Sequence, residues 1–208
     1  MISFHKKSKP KVNFGNLFSY LNHVRRRFMN ATECIKGRRS IRTFTDEPVS
    51  HELLEEIVEV ARFAPSWKNT QISRYVAVEG ALKQEVADKC FEAWKGNADM
   101  VAAAPMVIAL TYVKNRSGFE RDGSFSTSKE DRWQNFDTGI AAEAFCLAAY
   151  ERGLGTVILG IFDENKAAEV LNIPDDRGVA AFIVIGHPAV IPEAPKRKEV
   201  SELLTFLS

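Results

Sequence analysis

The chain has 208 residues, is 45% hydrophobic and 26% charged, and carries a formal net charge of +1. That length and apolar share build one domain with a core and exclude a disordered protein. The balanced charge argues against a dedicated nucleic-acid binder, and with no run of about 18 apolar residues no membrane-spanning helix is expected.

Residues 1–28 differ from the rest. The first 32 residues hold seven Lys/Arg and no acid, which leaves the remainder at −6 against the total of +1. Phe14, Leu17, Phe18, Leu21, Val24 and Phe28 fall at helical spacing, so this basic arm reads as an amphipathic helix. Packing on the domain or on a partner subunit is preferred over contact with an anionic membrane surface. The arm lacks the compact apolar stretch and small-residue cleavage site of a secretory signal. Residues 29–208 form the expected domain.

A short helix over residues 31–36 leads into "RRSIRTF" (38–44), where Arg38, Arg39 and Arg42 flank Ser40. A solvated charge run and an anion site both explain this cluster. "VSHELLEEIVEVARFA" is a helix with Ser50 as N-cap and an end at Pro65. "APSWKNTQ" (64–71) then presents Ser66, Asn69 and Gln71 in a loop, a supply of paired donors and acceptors suited to a heterocycle edge or to a polar turn. "RYVAVEG" reads as a strand and "ALKQEVADKCFEAW" as one helix. "PMVIALTYV" reads as a strand buried on both faces.

A polar stretch over 114–134 separates that strand from the Ala-rich helix "NFDTGIAAEAFCLAAYERG", apolar nearly all round and therefore central. Phe119, Phe125 and Trp133 stand in "GFERDGSFSTSKEDRWQNF" (118–136) as candidates for a lid or for aromatics tucked into the core. "TVILGIF" is a strand, "ENKAAEVLNI" a helix, "VAAFIVIGHP" a strand and "EVSELLTFL" a closing helix. The glycines of "GLGTVILG" follow a helix and open a strand, the reverse of a dinucleotide fingerprint, so they read as a helix stop.

Cys34, Cys90 and Cys146 are widely spaced, and His5, His23, His51 and His187 pair with none of them, so no metal site is expected. An odd number of unpaired cysteines suits a reducing compartment, and a cytoplasmic location is expected. No nucleophile motif or Walker loop occurs. If the protein is an enzyme, a cofactor supplies the chemistry.

Five stretches in order carry a resemblance: "ECIKGRRSIRTF", "ARFAPSWKNTQ", "DTGIAAEAFCLAAYERGLGTVILGIFDENK", "IPDD" with "IVIGHP", and "APKRKEVSELL". Over about residues 30–208 the chain resembles the nitroreductase family of FMN-dependent oxidoreductases. The resemblance implies an α+β, three-layer fold, with a mainly antiparallel sheet flanked by helices, in an interlocked homodimer. It implies FMN at the dimer interface and NADH or NADPH as electron donor. Hydride would pass through flavin N5 to a small oxidised acceptor (a nitroaromatic, quinone or enone) by ping-pong turnover.

On the matching positions, Arg38, Ser40 and Arg197 fall on the phosphate side, with Arg39 at phosphate or ribityl oxygens. Arg42 falls at the N1 and O2 edge. Pro65, Ser66, Asn69 and Gln71 fall at ribityl or ring edges, and the backbone of Gly160 and Ile161 falls beside N5. No side chain is implied as a strong acid or base. Ile72 and Ser73 stand where the family often has Pro-Trp. A flavin-binding redox sensor or storage module, with the basic arm as its partner-binding element, is the alternative from a different class.

Overall fold

The computed structural model describes residues 29–207. The basic arm, with its expected helix, its membrane contact and its boundary at residue 28, lies outside the described residues. In chain order the elements are α1 (Ala31–Gly37), α2 (His51–Ala61), a 3-10 turn (Trp67–Asn69), β1 (Ser73–Val78), α3 (Gly80–Cys90), α4 (Lys95–Ala103), β2 (Met106–Val113), α5 (Arg132–Glu151), β3 (Gly155–Leu159), α6 (Glu164–Val170), β4 (Arg177–Gly186) and α7 (Val200–Leu203).

The four strands form one antiparallel sheet in the order β1-β2-β4-β3. The expected α+β class with helices on both faces holds, and the continuous apolar runs explain it. Along β2, Val107 and Ala109 point into one core with Val86, Phe91 and Phe182. Met106, Ile108 and Leu110 point into a second core with Ile57, Phe145 and Ile183. Successive strand residues face opposite sides, so a strand covered twice is apolar throughout. Helices α3, α4 and α6 cover one face, and α2 and α5 cover the other.

Local signals start and stop these helices. Asn30 and Glu33 close a capping box on α1, and the Ser50 hydroxyl accepts from Leu53 N at the head of α2. Asp163 caps α6 by accepting from Lys166 N. Gly153, at φ 79°, turns the chain out of α5.

Several expected elements differ: β3 stops at Leu159, short of the end of "TVILGIF", and α6 stops at Val170, short of the end of "ENKAAEVLNI". Helix α2 stops at Ala61, and Phe63 and Ala64 make tighter bonds to Val60 and Ala61 before Pro65. The residue ahead of a proline leaves the helical region, so the stop comes earlier than the proline itself. The single helix expected over "ALKQEVADKCFEAW" ends at Cys90, because Phe91 turns in between Phe162 and Phe182. A helix not expected from the sequence, α4, follows; Lys83 Nζ holds its end through the carbonyls of Ala102 and Ala104. Helix α5 begins at Arg132, ahead of the polar boundary, and the closing helix shrinks to the four residues of α7.

Candidate functional site

The arginine cluster sits on the β3 edge of the sheet. Ser40 bridges Thr156 in parallel, and Ile41 N donates to the Thr156 carbonyl at 2.9 Å. Ile41 is buried over Gly155, where an added Cβ would stand 2.5 Å from Ile41 Cγ1. Further on, Thr45 N donates to the His187 carbonyl and Ala189 N to the Thr43 carbonyl. The segment is therefore pinned as an extra edge of the sheet, and its side chains have fixed origins.

Those side chains differ in surroundings. Arg38 is three-quarters covered, and its Nε lies buried 3.4 Å from Glu143 of α5 without a hydrogen bond. Arg39 donates to the Lys36 and Arg38 carbonyls. Arg42 is exposed and reaches back to the Ser40 carbonyl at 3.4 Å. An orphaned guanidinium nitrogen, two further guanidinium groups and a hydroxyl offer donors along this segment, with Glu143 beside Arg38. That donor set fits a phosphate. Arg197 is exposed and donates to the Pro195 carbonyl, in the segment that leaves the sheet beside Thr43.

The amide loop stands elsewhere. Lys68, Asn69 and Gln71 have φ of 43°, 55° and 48°, left-handed values that cost a non-glycine residue of order 1–3 kcal/mol each when the surroundings impose them. The Ser66 hydroxyl accepts from Gln71 N at 2.9 Å, and Trp67 N donates to both oxygens of Asp137 at 3.0 Å. Pro65, Ser66 and Gln71 border a cavity of about 130 Å³ shared with Ile72, Arg74, Tyr75 and Asp137. Ile72 itself is buried.

The 114–131 excursion folds back on itself and onto this loop. Gly118, at φ 88°, faces the Glu130 carbonyl so closely that a Cβ would not fit. Phe119 pairs with Phe125 at 4.9 Å, and Phe125 stays half exposed. Trp133, at the head of α5, packs tilted against Trp67 at 4.5 Å, and Lys68 Nζ meets Glu120 at 2.8 Å. The excursion is docked on the amide loop through Glu120, which meets Lys68, and through Thr127, which accepts from Trp133 at the head of α5, with Phe125 at its outer side.

At the far end of β3, Gly160 and Ile161 are exposed. Asn97 of α4 donates to the Ile161 carbonyl at 3.3 Å, and Phe162 packs on Phe91 and Phe182.

The sheet register gives the distance between the two clusters. Ser73, which follows the amide loop, pairs with Tyr112 and through it with Gly178; Ser40 pairs with Thr156 and through it with Ile185. At about 3.3 Å per residue along β4 and about 4.8 Å between strands, Ser73 and Ser40 lie roughly 30 Å apart on a diagonal of the sheet; Trp67 and Arg38 come closer, at Asp137 and Glu143 of α5. One chain brings Arg38, Arg39, Ser40 and Arg42 together, and separately Pro65, Ser66, Asn69 and Gln71. It does not bring the two groups together.

Comparison with known proteins decides what these clusters are part of. The model of the nitroreductase family matches residues 35–187. The chain belongs to the nitroreductase family. It is 30% identical over 174 residues to an NADPH-flavin oxidoreductase of Vibrio harveyi, covering 81% of this chain and 70% of that protein. A nitroreductase family protein from Clostridium novyi NT is 34% identical, with a TM-score of 0.66 and coverage of 77% of this chain and 86% of its own. A crystal structure from Desulfovibrio desulfuricans in complex with FMN is 28% identical, with a TM-score of 0.66 and coverage of 86% and 98%. Every structural element from the arginine cluster to the end of β4 falls inside the matched region.

Ser117 and Asn97 carry no motif, and Asp137, though it opens a resembling stretch, stands there only as an acid near the start of a helix otherwise rich in alanine.

Proposed function

We propose that the protein is an FMN-dependent oxidoreductase, taking hydride from NADH or NADPH and delivering it to a small oxidised acceptor such as a nitroaromatic, a quinone or an enone. The donor-rich cluster of Arg38, Arg39, Ser40 and Arg42, pinned on the β3 edge of a nitroreductase-family chain, carries this reading. A relative that is an NADPH-flavin oxidoreductase and another solved with FMN support it. When bound, FMN supplies the hydride chemistry through its ring.

The chain's own residues have the remaining tasks. Arg38 and Ser40, with Arg197, would hold the phosphate, where guanidinium forks and a hydroxyl match its oxygens. Arg39 would serve phosphate or ribityl oxygens. Arg42, exposed and cationic, would stand where negative charge gathers on reduction, favouring the reduced ring. The backbone of the exposed residues Gly160 and Ile161 would border the reacting edge. The excursion bearing Phe119 and Phe125, with Trp133 at the head of α5, would wall the acceptor side and exclude water.

The site would be completed by a second copy of the chain. Its loop with Pro65, Ser66, Asn69 and Gln71 would reach the ring and ribityl edges of the cofactor held by the first copy's arginines. The separate attachment of the two clusters, the arginines at Glu143 and the loop at Asp137, supports this. So does the segment after β4, where Ile191, Val200, Leu203, Phe206 and Leu207 are all exposed. Apolar side chains in such a row are covered by a partner in stable assemblies.

The visible spectrum of the purified protein, after incubation with FMN, tests the cofactor. Bound oxidised flavin is expected, followed by steady oxidation of NADH or NADPH when a quinone or nitroaromatic is added. A protein that binds no FMN would sink the reading. One that binds FMN but does not turn over would leave a flavin-binding module.

A further inference from the structure

Asp137 is a carboxylate only 2% exposed, in the second turn of α5. Such a group is tolerated when its oxygens are filled by donors. Here the donors come from two different loops. Trp67 N donates to both Asp137 oxygens at 3.0 Å, and the Ser117 hydroxyl donates to Asp137 Oδ2. Ser117 has one hydroxyl proton, and Asp137 takes it. In the 2.6 Å contact between Thr70 and Ser117, the Thr70 hydroxyl is therefore the donor.

The result is a directed chain: Thr70 to Ser117 to Asp137, with Trp67 N arriving at the same carboxylate. It grips the turn 67–70 at both ends. Between those ends lie Lys68 and Asn69, two of the left-handed residues of the loop. Ser117 belongs to the excursion, which is also tied to the loop by Lys68–Glu120 and, through the Thr127 hydroxyl, to Trp133 of α5, which packs on Trp67.

We propose that Asp137 is the positioning residue of the cofactor loop: it holds Asn69 in its left-handed conformation and locks the 64–71 loop to the 114–131 excursion. Asp137 itself touches neither cofactor nor substrate. It acts through the Trp67 amide and through Ser117. Loop and excursion then keep one relative geometry, so the residues that meet the ring and those that wall the acceptor are set together. This inference rests on the FMN reading above.

The test uses the full-length protein and three variants. In the FMN-free protein, hydrogen exchange should find the Trp67 amide protected. Asp137→Ala should lose that protection, while amides of β2 and β4 stay protected. Asp137→Asn should keep it, because the amide oxygen still accepts from Trp67 and Ser117 can turn to accept from the new NH₂. Ser117→Ala should loosen residues 67–70 with Trp67 still protected.

FMN affinity should follow the same order. It falls about ten- to a hundred-fold in Asp137→Ala, a few-fold in Ser117→Ala, and stays close to the parent in Asp137→Asn, at about tenfold per 1.4 kcal/mol of lost binding energy. If the parent binds FMN and Asp137→Ala binds it equally well, the proposal is overturned. It is also overturned if protection falls throughout the sheet, which would make Asp137 a residue of general stability. A parent that binds no FMN would instead remove the functional reading, and exchange at Trp67 would still decide whether Asp137 holds the loop.

Discussion

Arg38 offers the most direct test of the anion site. Its Nε is buried 3.4 Å from Glu143, and the part of its side chain that stays exposed is what an anion can meet. Losing a charge-assisted contact costs roughly 1.5–3 kcal/mol, or about ten- to a hundred-fold in affinity. Arg38→Ala is expected to weaken FMN binding by that factor, read by flavin fluorescence; unchanged affinity would make the cluster a solvated charge run. The cysteines give a pH prediction. Burial raises the thiols of Cys90 and Cys146 from 9.0 to about 11. The unfolded chain then loses these protons first as pH rises. Their contribution to stability is complete below pH 9.0 and is lost on the way to about 11. Denaturant midpoints should fall across that window. All three described cysteines are buried, so they should resist a thiol reagent at neutral pH until the protein unfolds. Rapid labelling of the native protein would contradict this.

The edge segment over residues 38–45 depends on how closely it approaches β3. At Gly155 the absent Cβ leaves the space that Ile41 fills. Gly155→Ala would force Ile41 outward and carry Ser40 away from Thr156. Overpacking of this kind costs about 1–3 kcal/mol. The variant should show a lower thermal midpoint and, with it, weaker FMN binding. Loss of stability with full FMN affinity would mean that the arginines do not depend on this edge. The same edge shows what the sequence made legible. The cluster was visible as residue types, and its pairing with Thr156 was not, because the partner lies more than a hundred positions away. The helix stops at Gly153 and the caps at Ser50 and Asp163 act within one turn, where sequence alone suffices. Helix α4 had no such signal: Trp94 caps it without a side-chain bond, and its end is held by Lys83 from another helix.

The chain after β4 leaves the sheet exposed over residues 189–207, with Phe206 at 87% and Leu207 at 94%. Under the composite-site proposal this arm is an interface element. A truncation ending at residue 188 is expected to give a monomer by light scattering, and to lose FMN binding with Arg197 and the partner's loop. A truncated protein that stays dimeric and keeps FMN would reject that role for the arm. In the full-length protein, dilution should release FMN and separate the subunits together, since mass action links the two.

The periodicities of the chain determined its layers. Alternation and continuous apolar runs specify strands and whether they are covered once or twice, and caps and glycines place most helix ends. Residue types likewise marked the arginine cluster, the amide loop and the aromatic excursion. Tertiary structure alone decided which of these meet. The register of β1, β2, β4 and β3 sends the arginines and the amide loop to opposite corners of the sheet. Packing likewise brings Asp137, Ser117 and Thr70 into one hydrogen-bonded chain. Both depend on contacts between residues distant in sequence, and those are fixed when buried polar groups and apolar faces must be satisfied at once, a condition no local stretch records.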